Sequence, residues 1–394
     1  MNHPMRHLPP LPAWSAAVIA ALIGFGGTVA LIVQAMRTLG ATPDQTGSAV
    51  TALCLGIAIP GAILSFRMRM PIVLAWSTPG AALLAAAAPG LHWPVAIGAF
   101  VVSGALMVAL GLVPALGRLA ARIPPAIASA MLAGVLLPFC LSLFRTGGTD
   151  PLLVAALVLV FLAARQRVPL YALLLVLATG AGISLIRGDV TSLPPGATLG
   201  TLLAVMPKFD PATLVSIAIP LFLVTLVSQN LPGLVVLRSA GYEPQPGPLL
   251  AGTGLMSVLI APFGGHAVNL AAITASICTS PEALPDQNRR WIVGLLYAGC
   301  YVILAAFAPL LVRFFLALPH GTIAALTGIA LIPALLGALE TALSVKEQRE
   351  PALMTILAAG SGLTLFGLGA AFWGLLVGFA ALGVAALLRK RQPR

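Results

Sequence analysis

Charge is what this chain most lacks: of 394 residues only 8% are Asp, Glu, Lys or Arg, and only 10 are acidic. So little charge cannot clothe a water-exposed surface, and no polar stretch between the apolar runs is long enough to fold as a soluble domain. Cysteine is scarce as well. Cys54, Cys140, Cys278 and Cys300 stand alone inside apolar runs, without CxxC or Cys/His spacing, so no metal site is expected and the four read as small packing residues. No nucleophile–base pair or metal-ligand set lies at membrane depth, which argues against an enzyme and gives no reason to expect a cofactor. The net charge of +11 comes from basic residues scattered in ones and twos, not interleaved with aromatics, so nucleic acid is not the expected partner.

What is present is apolar: 59% of the residues are hydrophobic, in runs long enough to span a bilayer from Trp14 to Leu388. The expected fold class is an all-α polytopic membrane protein with the lipid bilayer as its solvent. The run after Arg6 and His7 continues through Met36 without a small-residue cleavage site, so it reads as a first permanent span rather than a signal peptide. The spans expected are 14–36, 47–66, 71–88, 94–115, 123–144, 151–164 and 168–187, then 211–235, 247–261, 264–280, 291–314, 320–341, 351–369 and 371–388. With these crossings and a cytoplasmic N-terminus, only Arg37, Arg145, Arg187, Lys208 and Arg313 fall outside, and the other Lys and Arg residues lie in cytoplasmic loops and tails. That bias supports an even number of crossings of the cell (inner) membrane, with both termini expected in the cytoplasm.

The two halves echo each other. Arg37-Thr38-Leu39-Gly40-Ala41-Thr42-Pro43 and Arg238-Ser239-Ala240-Gly241-Tyr242-Glu243-Pro244 share R-x-x-G-x-x-P, each at the exit of the first span of a half. Arg118, Pro124, Gly134 and Pro138 are echoed by Arg313, Pro319, Gly328 and Pro333 at nearly equal spacing. Seven spans per half make the second copy enter the membrane the other way up, so residues 1–200 and 201–394 form an inverted repeat. This is the usual plan of secondary transporters, with the site near the midplane.

Two interrupted stretches occupy equivalent third spans: Trp76-Ser77-Thr78-Pro79-Gly80 and Gly264-Gly265-His266-Ala267-Val268-Asn269. Lipid does not tolerate unpaired backbone polar groups, so such breaks survive only where protein or a cavity surrounds them. In the first, Pro71 to Trp76 reads as a short extended run, with Thr78 as N-cap and Pro79 opening a helix to Ala88. The N–H groups of Gly80 and Ala81 are then expected to point, unpaired, into the interior. In the second, Asn269 is expected to cap a helix running through Leu270. Two facing helix starts make an anion cradle without a membrane-embedded lysine or arginine. The competing reading is that both stretches are kinks, since Gly and Pro are common in membrane helices.

His266 is one of very few ionisable groups at membrane depth and is the candidate for proton coupling; a neutral, structurally bonded histidine is the alternative. Glu340 reads instead as a solvated helix end. Ser228-Gln229-Asn230 interrupts an apolar run and marks Gln229 and Asn230 as cavity-facing or interhelical bonders. Gln34 is a similar candidate in the first span, and Phe25 is a candidate apolar wall.

At these residues the chain resembles the benzoate/proton symporter family (BenE type). The matching stretches are Pro71 to Leu84, Ser228 to Tyr242, Gly264 to Ile277 and Ser361 to Leu375. The resemblance runs through nearly the whole chain. It implies the architecture of uracil permease-like transporters: a core domain from spans 1–4 and 8–11 and a gate domain from spans 5–7 and 12–14. Substrate then binds between spans 3 and 10, with help from 1 and 8. Gly24-Phe25-Gly26-Gly27-Thr28 departs from the hydroxyl-rich first span expected of the family. The acidic residues that nucleobase relatives carry in spans 8 and 10 are absent, which argues against a nucleobase.

Importing the anion benzoate against an inside-negative potential costs about 2.3 kcal/mol per 100 mV, and one proton moved with it cancels that cost. The reading is therefore import of benzoate or a similar aromatic carboxylate with a proton. Its alternatives are an exchanger or uniporter for another small organic or inorganic anion, and an anion channel. Oligomeric state is not legible; a homodimer is one expectation.

Overall fold

The computed structural model describes residues 9–87, 91–113, 115, 124–366 and 368–390. The first apolar run is the single span expected, Leu11–Thr38, broken into two helices. α1 (Leu11–Gly26) ends at Gly27 and α2 (Val29–Thr38) begins after Thr28, because three glycines in four residues favour helix too weakly to hold it together. α3 (Pro43–Met68) opens on a capping box, in which the Thr42 hydroxyl accepts from the Gln45 N–H while the Gln45 side chain accepts from the Thr42 N–H. A strand, β1 (Leu74–Trp76), and a short helix, α4 (Thr78–Ala85), follow. After them come α5 (Trp93–Leu112), α6 (Pro125–Thr146), α7 (Pro151–Arg167) and α8 (Ala172–Arg187).

In the second half, α9 (Pro211–Ser239) is a continuous helical stretch interrupted by two π-helical turns, Leu214–Ala218 and Leu226–Asn230. Next are α10 (Pro246–Ile260), β2 (Val268–Leu270) and α11 (Ile273–Thr279). The chain continues through α12 (Trp291–Ala317), α13 (His320–Ala342), α14 (Arg349–Gly360) and α15 (Ala370–Lys390). Among the described residues, nine helical stretches are long and apolar enough to cross a bilayer, with α1–α2 counted as one. The other expected spans fall on shorter elements: β1 with α4, α7, β2 with α11, α14, and the apolar part of α15.

The R-x-x-G-x-x-P echo has a structural cause. Gly40 and Gly241 both take left-handed backbone, at φ 81° and 84°. Both turns close identically: Ala41 N–H reaches Met36 O and Tyr242 N–H reaches Leu237 O, while each glycine N–H reaches the carbonyl of the arginine three residues back. This is a Schellman stop, which glycine alone enters without a Cβ penalty. The second echo also recurs in structure. Pro124 and Pro319 are the N-caps of α6 and α13, and Pro138 and Pro333 lie inside those helices; Arg118 is outside the described residues.

Helices pack as α3 with α12, α6 with α13 and α14, α5 with α10, and α14 with α15. The α5–α10 contact is backbone to backbone: a Cβ on Gly104 would lie 2.9 Å from Val258 N, and one on Gly254 would lie 2.6 Å from Val108 N. Without water between helices to drive association, close approach of small residues supplies the attraction. Glu340 is exposed near the end of α13, as expected.

Arg290 is a buried cation that closes the segment after α11. Its guanidinium donates to the carbonyls of Leu284, Thr279 and Pro285 at 2.6, 3.1 and 3.0 Å, satisfying the last carbonyl of α11 and two in the segment after it. Arg290→Gln is expected to destabilise the protein by about 3 kcal/mol, seen as a lowered melting temperature in detergent.

Candidate functional site

The two interrupted stretches meet as an antiparallel ribbon inside the helical bundle. Leu74 lies opposite Leu270, Ala75 opposite Asn269 and Trp76 opposite Val268, and the Ala271 N–H extends the pairing to Val73 O at 3.0 Å. Proline at 71 and β-branched Ile72 and Val73 disfavour helix on one side. On the other, Gly264 reverses the chain at φ 96°. The ribbon answers the constraint that suggested a site: extended backbone at this depth needs partners for its N–H and C=O groups, and the strands pair their inward-facing groups while side chains of Ser257, Asn230 and Tyr297 take outward-facing ones at Val268, Leu270 and Leu74.

Sequence reasoning misplaced both caps. Ser77, not Thr78, caps α4, its hydroxyl accepting from the Gly80 N–H at 3.0 Å, and Thr78 is the first helical residue. The helix ends at Ala85, short of the expected Ala88, which is outside the described residues. The Ala81 N–H bonds Ser77 O at 2.8 Å, so the two amides expected to be free are both bonded within the chain. Asn269 caps nothing. It lies in β2, and the helix expected to start at Leu270 starts at Ile273. The Leu270 N–H is held by Asn230 Oδ1 at 3.0 Å.

Ser77 is the hub of the arrangement. Its hydroxyl also accepts from Thr225 Oγ1 of α9 at 3.1 Å, and its carbonyl lies 3.0 Å from His266 Nε2. A carbonyl can only accept, so Nε2 carries the hydrogen and, in the neutral ring, Nδ1 is left as an acceptor. That nitrogen is buried with no partner among the described residues. Asn269 repeats the pattern: its amide NH2 donates to Leu270 O at 3.0 Å and reaches Gln229 Oε1 at 3.5 Å, while its Oδ1 is buried and unpartnered. Ser77, Asn230, His266 and Asn269 are all fully buried. Native interiors rarely leave such atoms unbonded, and two on one three-residue ribbon and its lead-in make this the candidate site.

The polar triad read from the sequence sits in the second π-helical turn of α9, where the widened turn carries Asn230 to the ribbon edge. π-turns inside helices recur at functional sites. Gln34 lies on α2, which packs on α4, and its Oε1 is also buried without a partner. Phe25 does not line this polar side. Its ring packs on Trp76 with centroids 5.4 Å apart.

That contact belongs to a cluster the sequence reading missed. Trp76 Nε1 donates to Thr28 Oγ1 at 2.8 Å, the Thr28 hydroxyl bonds Gly24 O at 2.8 Å, and Tyr297 donates to Leu74 O at 3.0 Å. The Tyr301 ring stands edge-on to Trp76 at 6.3 Å. The cluster pins β1 to the break between α1 and α2 and to α12. A signal for it existed: the chain has 4 tyrosines, and two of them fall four residues apart on one face of an apolar run.

The family model for BenE, benzoate membrane transport protein, matches residues 9–384. The chain belongs to this family. It is 39% identical over 385 residues to the inner membrane protein YdcO of Escherichia coli (strain K12), covering 97% of this chain and 98% of the relative. The benzoate membrane transport protein of Acinetobacter baylyi is 33% identical over 371 residues, 94% of each chain. This member of the benzoate membrane transport family is a membrane transporter and not an enzyme. Its fold is similar to that of the transmembrane domain of a cyanobacterium bicarbonate transporter, BicA, with a TM-score of 0.59 at 16% identity, covering 92% of this chain and 97% of that one. SLC26A9 is similar with a TM-score of 0.57 at 13% identity, covering 94% of this chain and 65% of that one.

Proposed function

We propose that this transporter imports benzoate or a similar aromatic carboxylate together with a proton by alternating access. The observation that carries the proposal is the unpartnered Nδ1 of His266, buried beside Ser77. With Nε2 committed to the Ser77 carbonyl, a proton can enter the ring only at Nδ1, and doing so turns an acceptor into a charged donor. An imidazolium alone in this buried place is costly, and so is a carboxylate alone. Arriving together, each removes the other's penalty, which is the physical content of symport.

The start of α4 adds its field. The Gly80 and Ala81 amides are bonded locally, yet the aligned peptide dipoles still favour negative charge at the helix start, near Thr78. Asn269, Gln229 and Asn230 hold the ribbon edge. The relative from Acinetobacter baylyi bears the printed description of a benzoate transporter, and a small carboxylate suits this site. For the movement, α1–α5 and α9–α12 form a core that shifts against a gate of α6–α8 and α13–α15. The shorter elements complete fourteen crossings in two inverted sevens, with both termini cytoplasmic in the inner membrane.

A thermal-shift screen in detergent tests the substrate class. At a hundredfold excess over the dissociation constant a ligand stabilises by about 2.7 kcal/mol. Benzoate and ring-substituted benzoates are expected to raise the melting temperature, and uracil and sulfate to leave it unchanged. Stabilisation by sulfate but not by benzoate would replace this reading with inorganic anion transport.

A further inference from the structure

A cavity lies beside α4 and the start of α9, away from the ribbon. It has a volume of about 470 Å³ and lies between α4 and α9 on one side and α6, α14 and α15 on the other. This is within the size range of small-molecule sites. Leu83, Ala86, Phe139 and Ile217 give it apolar walls; Ser216 and Arg145 add polar groups, and no carboxylate lines it among the described residues. Arg145, near the end of α6, is exposed and forms no ion pair among the described residues. A largely apolar chamber with one cation and two serine hydroxyls, Ser216 and Ser361, among its described lining residues matches an anion with an apolar body.

The cavity also connects to the buried site by sequence spacing. Ser216 sits in the first π-helical turn of α9 and Asn230 in the second. Between them Ile217, Leu221 and Thr225 follow at four-residue steps on one helix face. Ile217 lines the cavity, and Thr225 bonds Ser77. Leu221, fully buried, fills the gap between them: its Cδ1 would lie 2.6 Å from a Cβ on Gly80, so it rests on the bare face of that glycine.

We infer that this cavity is a vestibule subsite where an aromatic carboxylate, held by Arg145, waits behind a Leu221–Gly80 plug before it reaches Ser77 and His266. The inference rests on the proposed function for the identity of the ligand, but not for the existence of the site. Two separate readouts keep the claims apart.

Ser361, exposed at the cavity edge, is replaced by cysteine, and the rate at which a membrane-impermeant maleimide labels Ser361→Cys over the parent protein is measured with increasing benzoate. Uptake of labelled benzoate is measured in the same proteoliposomes. Benzoate is expected to slow labelling. Adding Arg145→Gln is expected to raise the half-protecting concentration and the KM for uptake about fivefold or more, with the maximal rate kept, because removing one focusing charge weakens capture alone. Ala86→Phe, which fills the chamber, is expected to abolish protection. Intact uptake with no protection of Ser361→Cys, or protection indifferent to Arg145→Gln, overturns the vestibule. Protection without uptake by the parent upholds the vestibule and overturns import of benzoate.

Discussion

His266→Ala is expected to lower acid-driven net uptake of labelled benzoate by about 100-fold or more, the scale of losing a positioned proton-transfer group. Exchange of benzoate across the same membranes without a pH gradient is expected to persist. The separation follows from the two ring nitrogens. Nε2 holds the Ser77 carbonyl, a structural task, whereas Nδ1 is the buried atom left over for a mobile proton. His266→Gln makes the distinction sharper, because its amide can still donate to Ser77 but cannot carry a proton at neutral pH. Both variants are compared with protein-free liposomes, since the neutral acid crosses lipid unaided. Acid-driven uptake at the unsubstituted rate in both would remove His266 from the coupling mechanism.

The second large effect is expected at Asn230. Asn230→Leu preserves bulk but leaves the Leu270 N–H without its acceptor in a fully buried place. Unsatisfied buried donors cost about 1–3 kcal/mol, so the melting temperature is expected to fall. Benzoate affinity is expected to fall more than tenfold as the ribbon edge loosens. Gln229→Leu makes an internal comparison: its contact to Asn269 is 3.5 Å long and half-exposed, so the loss there is expected to be several times smaller. Equal losses at the two positions would mean that the ribbon edge is not what holds the substrate.

Much of this site was legible in the sequence because the physics of lipid is strict. A break in an apolar run has to be sheltered, and the two breaks shelter each other as paired strands. The R-x-x-G-x-x-P echo likewise encoded a real stop, the paired left-handed glycines Gly40 and Gly241.

The pairing itself was not legible. Three residues such as Leu74–Trp76 or Val268–Leu270 are too few to carry a period that separates strand from helix, and their partners lie nearly two hundred residues away. Ser77 and Thr78 are both good caps, and only the position of the Gly80 amide decides between them. Asn269 suggested a cap for the same reason, although in the ribbon it bonds sideways to Leu270 O. The role of Trp76 depended on Thr28, which lies beyond a helix break that the hydrophobic run concealed.

The central claim is that proton and anion bind as a pair. Isothermal titration of benzoate into purified transporter near pH 7.5, repeated in buffers of different ionisation enthalpy, measures it without a membrane or a leak. The account predicts an observed enthalpy that rises with buffer ionisation enthalpy at a slope of about one proton taken up per benzoate, and a slope near zero in His266→Gln. Tight benzoate binding with no proton uptake in the unsubstituted protein would contradict it.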